Sequence, residues 1–202
     1  MKKSLDKQTD AELLASFIAG DEDAFHEIIN RYKNGLYVFL KRFLNRHDLV
    51  EDVFQETFLQ LFTSRESFDM SRPLRPWLFT IAANKAKDAL RKQQRTAAII
   101  VGAIADSQEM SVDDVLNTLT SDVRVAYDDL ERNETAEMVR KIITNMPENL
   151  REILILAYFN KFSYKQMAQI LSIPIGTVKS RLHTAVGYFS KEWKSTVGSK
   201  EK

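Results

Sequence analysis

Cysteine is absent from all 202 residues. That excludes a disulfide framework, a thiol nucleophile and a Cys-based zinc site. The three histidines are scattered, so no metal cluster and no resident metal are expected. Glycine and proline are scarce, at six and four residues, which favours long helices over turns and sheets. No apolar run approaches the roughly 20 residues of a membrane span, so membrane insertion is not expected. The opening residues MKKSLDKQTD lack the apolar centre of a signal peptide, and a cytoplasmic location is the expectation. There is no Gly-x-x-x-x-Gly-Lys loop and no nucleophile–base motif. An enzyme is therefore the least expected class, and no cofactor is expected.

Charge is abundant, but its two signs are segregated. The net charge of +1 hides this. Residues 72–95 hold seven cations against Asp88 alone, and residues 161–194 hold six against Glu192 alone. Between them, residues 106–137 hold ten acids against Arg124 and Arg132. Two basic blocks around an acidic spacer imply two separate contacts with a polyanion.

Helical periodicity runs through most of the chain. Thr9 with Glu12 forms a capping box before Leu13, Leu14, Phe17 and Ile18. Gly20 ends that helix, and Ala24 to Leu44 continues with apolar residues at three- and four-residue steps. Asp48–Phe62 carries an apolar side and a compact patch of Glu51, Asp52, Gln55 and Glu56, which by itself fits a solvated face. A polar loop over Thr63–Arg75 leads to a helix opened by Pro76. Its inward stripe includes Leu78, Ile81, Ala82 and Ala86, and another face carries Asn84, Lys87, Asp88, Arg91 and Arg95. Trp77 beside these cations fits either core packing or base stacking; aromatic and cationic groups together are what single-strand binding needs. Thr96–Glu134 reads as a linker with at most short helical pieces, such as Val112–Leu119, and its opening apolar run Ala97–Ile104 fits a docking segment as well. Ala136–Asn145 and the almost wholly apolar Leu150–Phe159 form the next two helices.

The stretch Ser163–Ala185 (SYKQMAQILSIPIGTVKSRLHTA) is two short helices around a tight turn. Ser163 with Gln166 caps the first. Pro174 disfavours helix at Ile173 and suits the start of the second helix. Val178, Leu182 and Ala185 mark an inward face. Thr177, Ser180 and Thr184 face away, flanked by Lys179, Arg181 and His183. A helical hairpin with a solvated face satisfies this pattern, and so does a helix-turn-helix that enters a DNA major groove. The expected fold class is all-α: two small helical domains, residues 9–95 and 135–194, joined by an acidic flexible linker over 96–134, the second domain bearing the helix-turn-helix.

Four motifs in one order resemble the bacterial sigma-70 family, in its small extracytoplasmic-function type. They are GDEDAF at Gly20–Phe25, DLVEDVFQETF at Asp48–Phe58, PWLFTIAANKAKDALRK at Pro76–Lys92, and the block Met146–Ala185 with its Pro-x-Gly-Thr-Val-Lys-Ser-Arg-Leu run at Pro174–Leu182. The resemblance implies a sigma factor, which binds core RNA polymerase and directs promoter recognition, strand opening and initiation. It assigns Asp52, Gln55 and Glu56 to docking on the beta-prime clamp helices. It assigns Trp77, Asn84, Lys87, Asp88 and Arg91 to the melted minus-ten element, with the loop Ser64–Arg75 capturing an extruded base. It assigns Thr177, Lys179, Ser180, Arg181, His183 and Thr184 to the duplex minus-thirty-five element. Promoter DNA and core polymerase are thus the implied partners, with an anti-sigma factor as a further candidate. The acidic linker, through Asp113, Asp114, Asp128 and Asp129, resembles a segment that threads toward the polymerase channels. Thr184 and Val186 stand where the family usually places arginines, so phosphate anchoring at that end is expected to be weaker. Ser172 stands where many such turns have glycine, so the turn is expected to differ locally. Two other classes fit the residues: a helix-turn-helix regulator acting without polymerase, and a sigma-like adaptor that sequesters partners.

Overall fold

Apolar side chains at helical spacing need a partner surface, and here they find one another. The computed structural model describes residues 4–44, 46–105 and 134–198. Within these the chain forms helices and no strand: α1 (Asp10–Ile18), α2 (Glu22–Leu44), α3 (His47–Thr63), α4 (Leu74–Ala105), α5 (Glu134–Asn145), α6 (Glu148–Leu154), α7 (Tyr164–Leu171) and α8 (Ile175–Gly198).

Both expected capping boxes form. Thr9 Oγ1 accepts from the Glu12 N–H at 3.2 Å, and Ser163 Oγ accepts from the Gln166 N–H at 3.3 Å. Gly20 takes a φ of +95° and turns α1 into α2, whose first N–H groups donate to Asp21 Oδ1. The Tyr32 hydroxyl and the Arg31 guanidinium both reach Asp10, tying α1 to α2.

Leu36, Phe39, Leu40 and Phe43 of α2 are fully buried, against Val53 and Leu61 of α3 and Leu78 and Phe79 of α4. Each such side chain contributes about 1.5–3 kcal/mol relative to exposure. The helix expected to open at Pro76 opens at Leu74, with Pro76 still in the first turn, where its missing N–H is no loss. It runs ten residues past Arg95, to Ala105, so the start of the expected linker continues the helix. The Val112–Leu119 piece and the four linker aspartates lie outside the described residues.

In the second half, α5, α6, α7 and α8 enclose Ile153, Met167, Ile170 and Val178. The expected helix Leu150–Phe159 begins at Glu148 and changes character at Leu154. Its last turn, Ile155–Phe159, is π-helical, and the Asn160 N–H bonds back to the Ile155 carbonyl at 3.1 Å. Such a widened turn shifts the direction of the chain beyond it. Here Asn160 and Phe162 are directed at the first half of the chain. The two halves share one continuous core.

Ser172 ends α7 in the left-handed region at φ +52°, and the Ile173 N–H bonds to the Ala168 carbonyl at 3.1 Å. The backbone is thus the ordinary left-handed helix end that glycine usually provides. The sequence departs from the common turn, but the geometry does not. Ser172→Gly is expected to raise stability by about 0.5–1 kcal/mol, since it relieves the left-handed penalty while loosening the unfolded chain. Chemical denaturation of both proteins measures this, and an unchanged midpoint would count against it.

Candidate nucleic-acid interface

Three surfaces carry the candidate residues. The first is α3. Asp52, Gln55 and Glu56 are exposed there as expected. Glu56 also pairs with Lys85 of α4 at 3.1 Å. Leu59, 63 % exposed, lies one further turn along the same face. Phe62, expected on the inward side, is 40 % exposed, although its ring meets Phe17 and Phe25 at 5.4 and 5.5 Å. The α3 surface is therefore mixed: acids and an amide continued by exposed apolar groups. Leu59 is legible in the sequence through its spacing of seven from Asp52 and four from Gln55.

The second surface is the mouth between α3 and α4. The loop after α3 folds as a 3-10 turn over Arg65–Ser67, and Phe68 then lies against Trp77 with ring centroids 4.4 Å apart. Together they wall an open cavity of about 410 Å³, lined also by Gln60, Ser64, Ser67, Asp69, Arg72 and Ile81. Asp69 is fixed within it. Its Oδ1 accepts from the Ser71 N–H and hydroxyl at 3.0 and 2.6 Å, and its Oδ2 from Arg72 Nε at 3.1 Å. The Ser71 bonds, then the Arg72 charge, hold this carboxyl below the usual range. One aromatic wall plus an amide, hydroxyls, a carboxylate and a guanidinium is what a flipped base needs, stacking on its face and hydrogen bonds on its edge. Trp77 is half-buried, so it packs on the core and lines this cavity at once. Phe68 and Asp69 lie within the Ser64–Arg75 loop expected to capture a base, whereas Gln60, on α3, carries no such signal in the sequence.

Along α4, Asn84, Asp88 and Arg91 are exposed, with Arg91 paired to Asp88 at 3.0 Å. Lys87 corrects the expectation of an exposed cation. Its side chain is 19 % exposed, and its Nζ lies 3.3 Å from Oε1 of Glu152 on α6, which is 5 % exposed. Desolvation pushes the Glu152 carboxyl up, opposed by Lys87. The sequence holds one signal for this partner: Glu152 is the lone acid inside an apolar run, and a buried acid requires a counter-charge.

The third surface is α8. Val178, Leu182 and Ala185 are buried, as the inward face requires. Lys179, Ser180, His183 and Thr184 are exposed, and Thr177 and Arg181 are half-buried. The Ser180 hydroxyl donates to the Thr177 carbonyl at 3.1 Å, and that of Thr184 to the Ser180 carbonyl at 3.0 Å. Their lone pairs stay open to accept from base amino groups. Val186 faces elsewhere: with Val139, Tyr158 and Phe189 it lines an apolar hollow of about 300 Å³.

Residues 28–96 match Sigma-70 region 2, and residues 136–186 match Sigma-70, region 4. The ECF RNA polymerase sigma-E factor of Haemophilus influenzae is 32 % identical over 88 % of this chain and 91 % of its own length. The ECF RNA polymerase sigma factor SigW of Bacillus subtilis is 29 % identical over 81 % of this chain and 86 % of its own. Among solved structures, the sigma factor RpoE of Bartonella quintana, in complex with the anti-sigma factor NepR, is similar at a TM-score of 0.66 and 26 % identity, over 84 % of this chain and 96 % of that one. CnrH in complex with the cytosolic domain of CnrY shares the fold, with a TM-score of 0.67 over 93 % of this chain and 99 % of that one, at 22 % identity.

Proposed function

The chain belongs to the ECF family of RNA polymerase sigma factors, and from that premise we propose how its three surfaces divide the work. The acidic and apolar face of α3 docks core RNA polymerase. Asp52, Gln55 and Glu56 meet the beta-prime clamp helices, and carboxylates there suit a partner presenting arginines. Leu59 adds an apolar contact. The cavity beside Trp77 takes one extruded base of the minus-ten element, while Asn84, Lys87, Asp88 and Arg91 hold the single strand. The outer face of α8, through Thr177, Lys179, Ser180, Arg181, His183 and Thr184, reads the minus-thirty-five element as duplex. Catalysis stays with the polymerase. An anti-sigma factor, as bound by the Bartonella relative, is a candidate partner. No helix among the described residues is long and apolar enough to cross a membrane. The work proposed here is on promoter DNA in the cytoplasm.

The observation that carries this reading is the aromatic-walled cavity at the head of a basic helix. Strand opening without ATP needs captured bases to offset lost pairing. Stacking returns roughly 1–3 kcal/mol per base, against about 1.4 kcal/mol per duplex step. Transcription by core polymerase on genomic DNA, with start sites mapped, tests the whole reading. Addition of this chain should create new start sites, and none above core alone would reject it.

Two substitutions separate the surfaces. Asp52→Ala is expected to weaken core-polymerase binding about 5- to 30-fold, the loss of one charge-assisted bond; intact assembly by fluorescence titration would sink that assignment. Arg181→Ala is expected to weaken minus-thirty-five binding by holoenzyme by about tenfold, with minus-ten opening intact once bound. Equal loss on a promoter lacking the minus-thirty-five element would remove Arg181 from that role.

A further inference from the structure

We propose that α8 holds promoter DNA at a second point beyond its reading residues: Lys191 and Lys194 grip the sugar-phosphate strand on the far side of the minus-thirty-five groove. The proposal rests on the assignment of α8 to that element.

Helical phase sets the geometry. With roughly 3.6 residues per turn, Thr184, Gly187, Lys191 and Lys194 all fall within about 40° of Ser180, on one face. Lys191 lies about 16 Å along the axis from Ser180, and Lys194 about 21 Å. The major groove is about 12 Å wide. A helix whose first turns meet base edges therefore carries both lysines past the groove, to the phosphates of its rim. Both are exposed.

From Leu182 to Ser190 the chain has no lysine or arginine. On the reading face that interval offers only small groups. The Thr184 hydroxyl is turned to the Ser180 carbonyl, and a side chain added at Gly187 would meet nothing within 4 Å. The helix can lie close to a strand there, with the next cations at Lys191 and Lys194. The match to region 4 ends at residue 186, so the last twelve residues of α8 lie beyond it.

This extension is a built element. Its other faces are packed: the Tyr188 hydroxyl donates to the Asn145 carbonyl at 3.1 Å, and the half-buried Phe189 and Trp193 rings stack with centroids 6.0 Å apart. The lysine face is a poor arrangement for a helix left in solvent. Lys191 and Lys194 repel each other at a spacing of three, and no acid stands three or four residues from either. The helix dipole favours cations in the last turn, whereas Lys191 lies two turns before the end at Gly198. A phosphate strand turns this repulsion into attraction.

Holoenzyme carrying Lys191→Gln and Lys194→Gln is compared with the parent on a fluorescent promoter duplex, from about 50 to about 200 mM salt. Each lost phosphate contact flattens the dependence of log K on log salt by about 0.9, so the deficit of the double variant should be about tenfold larger at the low end than at the high end. Its penalty for a base change within the minus-thirty-five element should equal the parent's, because phosphate contacts carry no sequence information. On a template truncated just downstream of that element, the two proteins should bind alike. An unchanged salt slope overturns the proposal, as does a deficit that persists on the truncated template or an altered base preference. Arg181→Ala, measured beside it, keeps the two readings apart. Lost binding by Arg181→Ala with an unchanged lysine slope leaves the minus-thirty-five assignment standing and removes the lysines from DNA. Undiminished binding by Arg181→Ala, with the lysine slope lost only on the full template, sinks the reading role of Arg181 and retains the phosphate contact.

Discussion

Trp77→Ala is expected to lower open-promoter formation by about 10- to 100-fold while leaving core-polymerase assembly intact. The figure comes from one lost base stack of roughly 1–3 kcal/mol. Trp77 and Phe68, 4.4 Å apart, are the cavity's aromatic wall, and α4 supplies no second ring there. The indole also packs on the core, so alanine costs some stability as well. Trp77→Phe separates the two effects, because it keeps a stacking face while losing bulk. If the wall matters, phenylalanine recovers most of the opening. Permanganate reactivity of the melted strand reads this directly, beside a titration of holoenzyme with the minus-ten single strand. Equal opening by the alanine variant and the parent would return Trp77 to a purely structural role.

Local chemistry is the legible part of this chain. Thr9–Glu12 and Ser163–Gln166 announce helix starts because a capping box needs only residues three apart. Val178, Leu182 and Ala185 announce the inward face of α8 because period alone fixes it. The α3 candidates and, on α8, Lys179, Ser180, His183 and Thr184 are exposed for the same reason. The hidden part depends on contacts distant in sequence. The continuation of α4 to Ala105 runs through Thr96–Ala97–Ala98, where falling charge reads equally as linker. The cavity needs the Arg65–Ser67 turn to bring Phe68 onto Trp77, and no spacing rule specifies that. Lys87 and Glu152 are 65 positions apart; a lone acid in an apolar run signals a counter-charge, but nothing in the sequence says which of the chain's many cations supplies it. Segregated charge signals polyanion binding. It does not reveal that the chain's own carboxylate occupies one of the binding cations.

Lys87→Ala is expected to destabilise the free protein by about 3 kcal/mol at pH 8, and by progressively less as pH falls toward the unfolded carboxyl range, because it leaves the buried Glu152 carboxylate without its main counter-charge. The sign is set by proton linkage. Burial already holds the folded-state pKa of Glu152 above its unfolded value, near about 4.3. The folded state therefore binds the proton more tightly. Its contribution is fully present below the unfolded pKa and is lost as pH rises through the folded one. Lys87 is the largest influence opposing that rise; Arg181 opposes it weakly and Glu148 adds to it. Removing Lys87 pushes the folded pKa higher and widens the window in which stability falls. Urea denaturation of both proteins across this pH range measures the difference. Adding Glu152→Gln to Lys87→Ala should abolish its pH dependence, since no buried charge then remains to form. A loss equal at pH 5 and pH 8 would mean that Lys87 contributes through packing of its stem rather than as a counter-ion. The same substitution should weaken minus-ten strand binding by holoenzyme, because it removes a cation from the helix proposed to hold that strand.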